Sequence, residues 1–315
     1  MLQKYSFGGY VLFKSFFENK TEQQVKTEIA NFQKTAKIPL LIAVDEEGGS
    51  VVRVSANPNL VKELFLSSRE LYKKGGFEEI RQDTIRKSKV LENLGINLNF
   101  APVVDIVTSP NDYMYKRAFG EGKELTSEYA KTVIRESKKT KVSYTLKHFP
   151  GYGENKDTHT GNSVDTRTYE QIYENDLEPF RAGIEEGAEV VMVSHNVVTS
   201  IDEKLPASIS PAIHKLLREE LNFSGIMITD DMKMGAIKEE YSIEEAVEKA
   251  ILAGNDMMIL SINDTTTNKE TNKPITYQDI IEYVKSMVEK KIIKEETINT
   301  AVKRILAWKH YKGLL

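Results

Sequence analysis

Between Ser143 and Thr160 the chain reads SYTLKHFPGYGENKDTHT. An apolar run delivers Lys147 and His148 at its end, turns through Pro150, Gly151 and Gly153, and is followed by Asp157 and His159, two residues apart. In an irregular loop that spacing lets the Asp157 carboxylate accept a hydrogen bond from one imidazole nitrogen of His159 and leaves the other nitrogen facing a substrate. Such a pair fixes the tautomer and raises the pKa, making the ring usable first as a general acid and then as a base. An isolated D-x-H is as readily a loop histidine capped by a neighbouring carboxylate; its place directly after KHFPGYG favours chemistry. Asp230 and Asp231 end a second apolar run, GIMITDD. Aspartate is disfavoured in strands, so the pair carries a carboxylate to the strand's mouth. There Asp230 can act as nucleophile, electrostatic stabiliser or metal ligand, while Asp231 reads as the N-cap of the next helix. Asp45 opens DEEGGSVVR, where Gly48 and Gly49 suit a tight turn returning Arg53 towards the same mouth. A carboxylate and a guanidinium facing one pocket suit forked hydrogen bonds to vicinal hydroxyls; a surface salt bridge is the plainer alternative. Glu46 and Glu47 have no evident task, and Arg117, in YKRAFGEG, says little alone. His195, ending MVSH, fits a hydrogen-bonded core-edge residue or a ligand contact equally. His214 and His310 sit among charged residues on helices and read as solvated.

The elements that must position these groups alternate. Seven short, continuously apolar runs read as strands buried on both faces: GGYVLF from Gly8, LLIAVD to Asp45, LNFAPVVD to Asp105, SYTLKHF, EVVMVSH to His195, GIMITDD to Asp231 and DMMILS to Ser261. Helical spacing spans Thr21 to Lys34, Gly76 to Leu94, Glu124 to Lys138, Tyr169 to Glu186, Ser210 to Leu221 and Ile243 to Ala253. Thr168 and Ser242 stand at capping positions, and Gly95, Gly187 and Gly254 at ends. Alternation of this kind implies parallel βαβ units, either doubly wound or closed into a barrel. Five strand ends carry an ionisable group, Asp45, Asp105, His148, His195 and Asp230. A barrel brings every strand end round one mouth, whereas an open sheet uses mainly those near its switch point. The expected fold is therefore a TIM-type (β/α)8 barrel, a single domain over 1–315, with seven strands readable and the first apparently missing from the chain. A polar stretch after Ser261, INDTTTNKETNKP, precedes two closing helices, the last carrying the single Trp308.

Composition excludes more than it assigns. Of 315 residues 40% are hydrophobic and 29% charged, as in ordinary globular proteins, and the net charge of −4 speaks against a nucleic-acid partner. Without cysteine there are no disulfides and no thiolate chemistry, and a zinc ion would need His, Asp and Glu alone. No apolar run reaches the roughly 18 residues of a membrane span. No export signal is read at YSFGGYVLF, so a cytoplasmic location is expected, with export left open; oligomeric state is not legible.

IAVDEEGGSVVRV, NFAPVVDI, KRAFGEG, LKHFPGYGENKDTHT and GIMITDDMKMGA occur in an order and spacing that resembles family 3 glycoside hydrolases, most closely their bacterial β-N-acetylhexosaminidase branch, over Gly8 to Leu260. The resemblance implies a barrel and a retaining mechanism with Asp230 as nucleophile, His159 as acid/base and Asp157 assisting it. It also implies that Asp45, Arg53, Arg117, Lys147 and His148 bind hydroxyls of a terminal N-acetylglucosamine, with no metal or organic cofactor. The function so implied is an exo-β-N-acetylglucosaminidase acting on muropeptides or chitooligosaccharides. Within the family a β-glucosidase or an N-acetylglucosaminide phosphorylase is the alternative. Outside it stand a non-catalytic sugar-binding barrel and a metal-dependent hydrolase using Lys147, His148, His195 and Asp230. Tyr152 departs from the histidine common at that position, and only Glu154, Asn155 and Lys156 separate Gly153 from Asp157.

Overall fold

The computed structural model describes residues 5–107, 109–153, 163–262, 266–268 and 273–315. Asp157, His159 and most of the polar stretch after Ser261 lie outside the described residues. The strands are β1 (Gly9–Val11), β2 (Leu41–Val44), β3 (Leu98–Asn99), β4 (Ser143–Phe149), β5 (Val164–Asp165), β6 (Val190–Val193), β7 (Val197–Val198), β8 (Ile226–Asp231) and β9 (Met257–Ile259). The seven runs legible in the sequence make one sheet in the order β1-β2-β3-β4-β6-β8-β9, every neighbour parallel. The small parallel pair of β5 and β7 is an addition that sequence periodicity did not reveal.

Alternation along the strands divides the core into two layers. Leu41, Ala43, Leu98, Phe100, Val190, Met192, Ile226 and Ile228 form the inner cluster. The intervening Ile42, Val44, Tyr144, Leu146, Val191, Val193 and Met227 face outward into the larger cluster under the helices. A period of two on each strand thus yields an inside and an outside, as curling a parallel sheet requires. The curl stops one strand short of closure. Among the described residues nothing pairs β1 with β9, and a groove of about 320 Å³, lined by Tyr10, Val11, Phe100, Met257 and Ile259, runs between them. The barrel is therefore seven-stranded and nearly closed, with the seven strands read from the sequence.

Helix punctuation follows the sequence closely. Thr168 and Ser242 form reciprocal capping boxes with Gln171 and Glu245, and Gly95 and Gly254 end their helices in the left-handed region, at φ 89° and 112°. Differences lie where local chemistry is ambiguous. The helix predicted from Gly76 begins at Ser68 and is broken in two at Gly75 and Gly76, the second of which takes φ 65° and ψ −150°, a conformation open to glycine alone without strain. The helices over Tyr169–Glu185 and Pro211–Glu220 each contain a π turn, at Ile172–Asp176 and Leu216–Glu220. The third strand pairs only over Leu98–Asn99; Pro102 lacks an N–H, and pairing resumes at Val103 beside Lys147. His214 is not solvated. It is buried, with Nδ1 2.8 Å from the Ser210 carbonyl, because its short helix turns inward with Ile213 and Leu217.

The C-terminal helix, Glu295–Tyr311, seals the barrel floor. Trp308 joins the inner cluster and its Nε1–H donates to Ser143 Oγ at 3.2 Å and Glu189 Oε2 at 3.1 Å. Lys309 donates to the carbonyls of Gly8 (3.3 Å) and Pro39 (2.7 Å), and Arg304 to Asp256 (3.0 Å). One helix thereby ties the starts of β1, β2, β4, β6 and β9 together. Replacing Trp308 with Ala should cost about 3–5 kcal/mol, and with Phe, which keeps an aromatic ring but loses the donor and part of the volume, about 1–2 kcal/mol. Urea unfolding followed by far-ultraviolet circular dichroism measures both, since the chain has no other tryptophan.

Candidate active site

Continuing the inward parity towards the strand ends places Asp45, just past β2, and Lys147 and Asp230, near the ends of β4 and β8, in the mouth, two residues beyond Ala43, Thr145 and Ile228. Lys147 and His148, adjacent on β4, both reach this mouth because the β4–β6 register shifts between Leu146 and Phe149.

After β2 the chain reverses at Gly48 and Gly49, at φ 102° and 62°; a Cβ on Gly48 would stand 2.1 Å from the Leu66 carbonyl oxygen. Glu46, fully buried, is the post round which the loop is wound. Its carboxylate accepts from the backbone N–H groups of Arg53 and Val54 (both 2.7 Å) and Ser55 (3.2 Å), and from the Ser55 hydroxyl (2.5 Å). That winding returns Arg53 to Asp45, at 3.8 Å. Glu47, its side chain only 5% exposed, joins the site's other cations: Arg117 donates to it through Nε (3.0 Å) and Nη2 (2.6 Å), and Lys147 Nζ lies at 2.6 Å. Lys147 is shared with Asp45 at 2.8 Å. Behind them Lys87, paired with Asp83 at 3.1 Å, donates to the Glu47 carbonyl at 3.1 Å.

His148 completes this side. Its Nδ1 is 2.8 Å from Asp105 Oδ2 and its Nε2 is 3.3 Å from Arg117 Nη2. A guanidinium can only donate, so Nε2 accepts and the proton sits on Nδ1, given to Asp105. Asp105 is itself fixed by the Tyr152 N–H at 2.7 Å, the contact made by the residue that departs from the familiar motif.

Burial alone would raise the Glu47 carboxyl, yet Arg117 and Lys147 hold it well below the usual carboxylate range. Burial likewise opposes the charge on Lys147, and Asp45 and Glu47 together raise its ammonium above the ordinary value. For Asp230 burial again pushes upward, but His148, His195, the Asp231 N–H and Lys147 prevail and keep its carboxyl depressed and ionised. Asp231 is not a helix N-cap. Its Oδ1 accepts from the N–H of Lys233 (3.1 Å) and of Ser261 (3.2 Å), tying β8 to the end of β9, and the next helix starts later, at Gly235.

Asp45, Arg53, Arg117, Lys147 and His148 are thus brought into one continuous network, with Asp230 beside it. Asp157 and His159 lie outside the described residues. Sequence reasoning missed Glu46 and Glu47, whose signal was their position directly before two glycines that turn the backbone, and assigned no task to Asp105 although it ends a strand. Among the described residues no three His, Asp or Glu side chains group as metal ligands.

Comparison with known proteins gives the family to which this α/β barrel and its cup of carboxylates and guanidinium donors belong. The family model described as the glycosyl hydrolase family 3 N terminal domain matches residues 1–308, and the chain belongs to that family. It is 34% identical over 269 residues to a β-hexosaminidase of Xylella fastidiosa (strain M23), covering 82% of this chain and 77% of the relative. A β-hexosaminidase of Stenotrophomonas maltophilia (strain K279a) is 34% identical over 265 residues with the same coverages. Among solved structures, a glycoside hydrolase family 3 β-N-acetylglucosaminidase from Paenibacillus sp. str. FPU-7 superposes with a TM-score of 0.88 at 30% identity. The superposition covers 98% of this chain and 57% of that one, so the chain spans little over half of that protein's length.

Replacing Glu47 with Gln strands Arg117 and leaves Lys147 to Asp45, which should cost about 3–5 kcal/mol at neutral pH. A carboxyl depressed on folding contributes stability above its unfolded value of 4.5 and loses it as pH falls through the folded one. The gap between wild type and Glu47→Gln, measured by denaturant titration at several pH values, should be full at pH 7 and shrink below about pH 4.

Proposed function

We propose that the chain is a retaining exo-β-N-acetylglucosaminidase, releasing terminal N-acetylglucosamine from muropeptides or chitooligosaccharides in the cytoplasm. The observation that carries the reading is Asp230: a strand-end carboxylate held ionised beside a preorganised cup of donors and acceptors. Asp45, Arg53, Arg117, Lys147 and His148 bind the terminal sugar's hydroxyls, Lys147 and the guanidinium groups donating, Asp45 accepting, and His148 Nε2 exchanging its long contact with Arg117 (3.3 Å) for a hydroxyl. With the ring so held, Asp230 attacks C1 while His159, assisted by Asp157, gives its proton to the departing glycosidic oxygen. The covalent glycosyl-Asp230 is then opened by water, whose proton returns to His159, and the two inversions retain configuration. The family membership and the β-hexosaminidase names of the relatives support the choice of N-acetylglucosamine over glucose.

Release of p-nitrophenol from its β-N-acetylglucosaminide and its β-glucoside tests this. Hydrolysis of the first should far exceed that of the second, and Asp230→Ala should lower kcat on the order of 10⁴-fold. His159→Ala should lose more on chitobiose than on the aryl glycoside, because p-nitrophenolate departs without a proton. Near-wild-type activity of Asp230→Ala would sink the nucleophile assignment.

A further inference from the structure

The sequence left His195 between a hydrogen-bonded core-edge residue and a ligand contact, and neither the binding network nor the two chemical steps above use it. It follows β6, is 1% exposed, and is wholly engaged with protein. Its Nε2 lies 3.0 Å from the backbone carbonyl oxygen of Asp231, and its Nδ1 lies 2.6 Å from Ser208 Oγ. A carbonyl only accepts, so Nε2 carries the proton and Nδ1 takes the hydroxyl hydrogen of Ser208. Ser208 is fixed in turn: its N–H donates to the Ser194 carbonyl at 2.8 Å, and its own carbonyl receives Asn255 Nδ2 at 2.7 Å.

Asp231 is therefore gripped through its carbonyl by His195 and by the Met234 N–H (2.9 Å), and through its carboxylate by the N–H groups of Lys233 and Ser261. The backbone N–H of the residue so gripped donates to Asp230 Oδ1 at 2.8 Å. We infer that His195, held by Ser208, is a positioning residue: it locks the Asp231 backbone so that the Asp231 N–H engages one oxygen of Asp230 and aims the other at the sugar carbon. The inference rests on the reading of Asp230 as nucleophile. An ordinary core histidine would need partners for its two nitrogens; it would not need one of them to be the peptide adjoining the reactive carboxylate. The groups facing Asp230 are Lys147 and His148 from β4, His195 after β6 and Asp231 on its own strand, and the Asp231 N–H that His195 holds in place is among those that keep the carboxylate ionised.

The test compares His195→Phe, His195→Gln and Ser208→Ala in p-nitrophenyl β-N-acetylglucosaminide hydrolysis, with Asp230→Ala beside them. His195→Phe should lower kcat about 100-fold, as misplacement of a reacting group does. It should also move the acid limb of the kcat/KM profile to higher pH while leaving the affinity for N-acetylglucosamine unchanged. The Gln variant, whose amide N–H can reach the same carbonyl, should recover much of the loss. Ser208→Ala should fall between and shift the limb in the same direction. Wild-type kcat and pH profile in the folded Phe variant would overturn the inference, as would a loss with no limb shift and no recovery by Gln. Should the Phe variant not fold, unchanged kinetics in Ser208→Ala would overturn it equally. If Asp230→Ala is inactive while the His195 variants behave as wild type, this inference alone fails; if Asp230→Ala is active, the nucleophile reading fails first.

Discussion

The mouth of this barrel depends on one buried carboxylate. Glu47 accepts from Arg117 and Lys147 at once, and so fixes a loop after β2, a turn before the helix Gly122–Ser137 and the end of β4 relative to one another. Taking such charges out of water costs several kcal/mol each and is offset only when the geometry is good and other hydrogen bonds complete the set. Here Asp45 shares Lys147, Lys87 holds the Glu47 backbone, and His148 accepts from Arg117. The donors at this mouth are thus oriented by the protein itself, and on the proposed reading little reorganisation remains for the binding step.

The open seam does not reach this network. Its edges are β1 and β9, whereas Asp45, Glu47 and Arg53 follow β2, Lys147 and His148 lie on β4 and Asp230 on β8, with Asp105 and Arg117 following β3 and His195 following β6. At the other end of the barrel the C-terminal helix ties strand starts on both sides of the seam, through Lys309 at β1 and β2 and Arg304 at Asp256 before β9. The curvature that gathers the mouth is therefore held from the floor as well as by the strand ladder.

Periodicity made the seven strands legible because burial on both faces leaves continuous apolar runs, and their polar last residues pointed to one mouth. What it could not show were contacts between residues distant in sequence. Glu47 reads as one more acidic residue until Arg117, 70 positions away, and Lys147 are placed against it. Asp231 resembles a helix cap because an Asp before a helix usually is one, and only the neighbouring β9 reveals the competing acceptor role. His214 sits between charged neighbours, so local composition pointed to solvent while the orientation of a short helix, set by tertiary packing, decided otherwise. The π turns and the pairing of β5 with β7 have no local signature of this kind.

The central claim is that Asp230 forms a covalent bond to the sugar, and a slow, fluorinated N-acetylglucosaminyl substrate tests it most directly by trapping that state for peptide mapping by mass spectrometry. The account predicts a single glycosyl adduct on the peptide carrying Asp230, decaying as the sugar is released in the β configuration. No adduct during turnover, an adduct on a different carboxylate, or first release of the α anomer would contradict it.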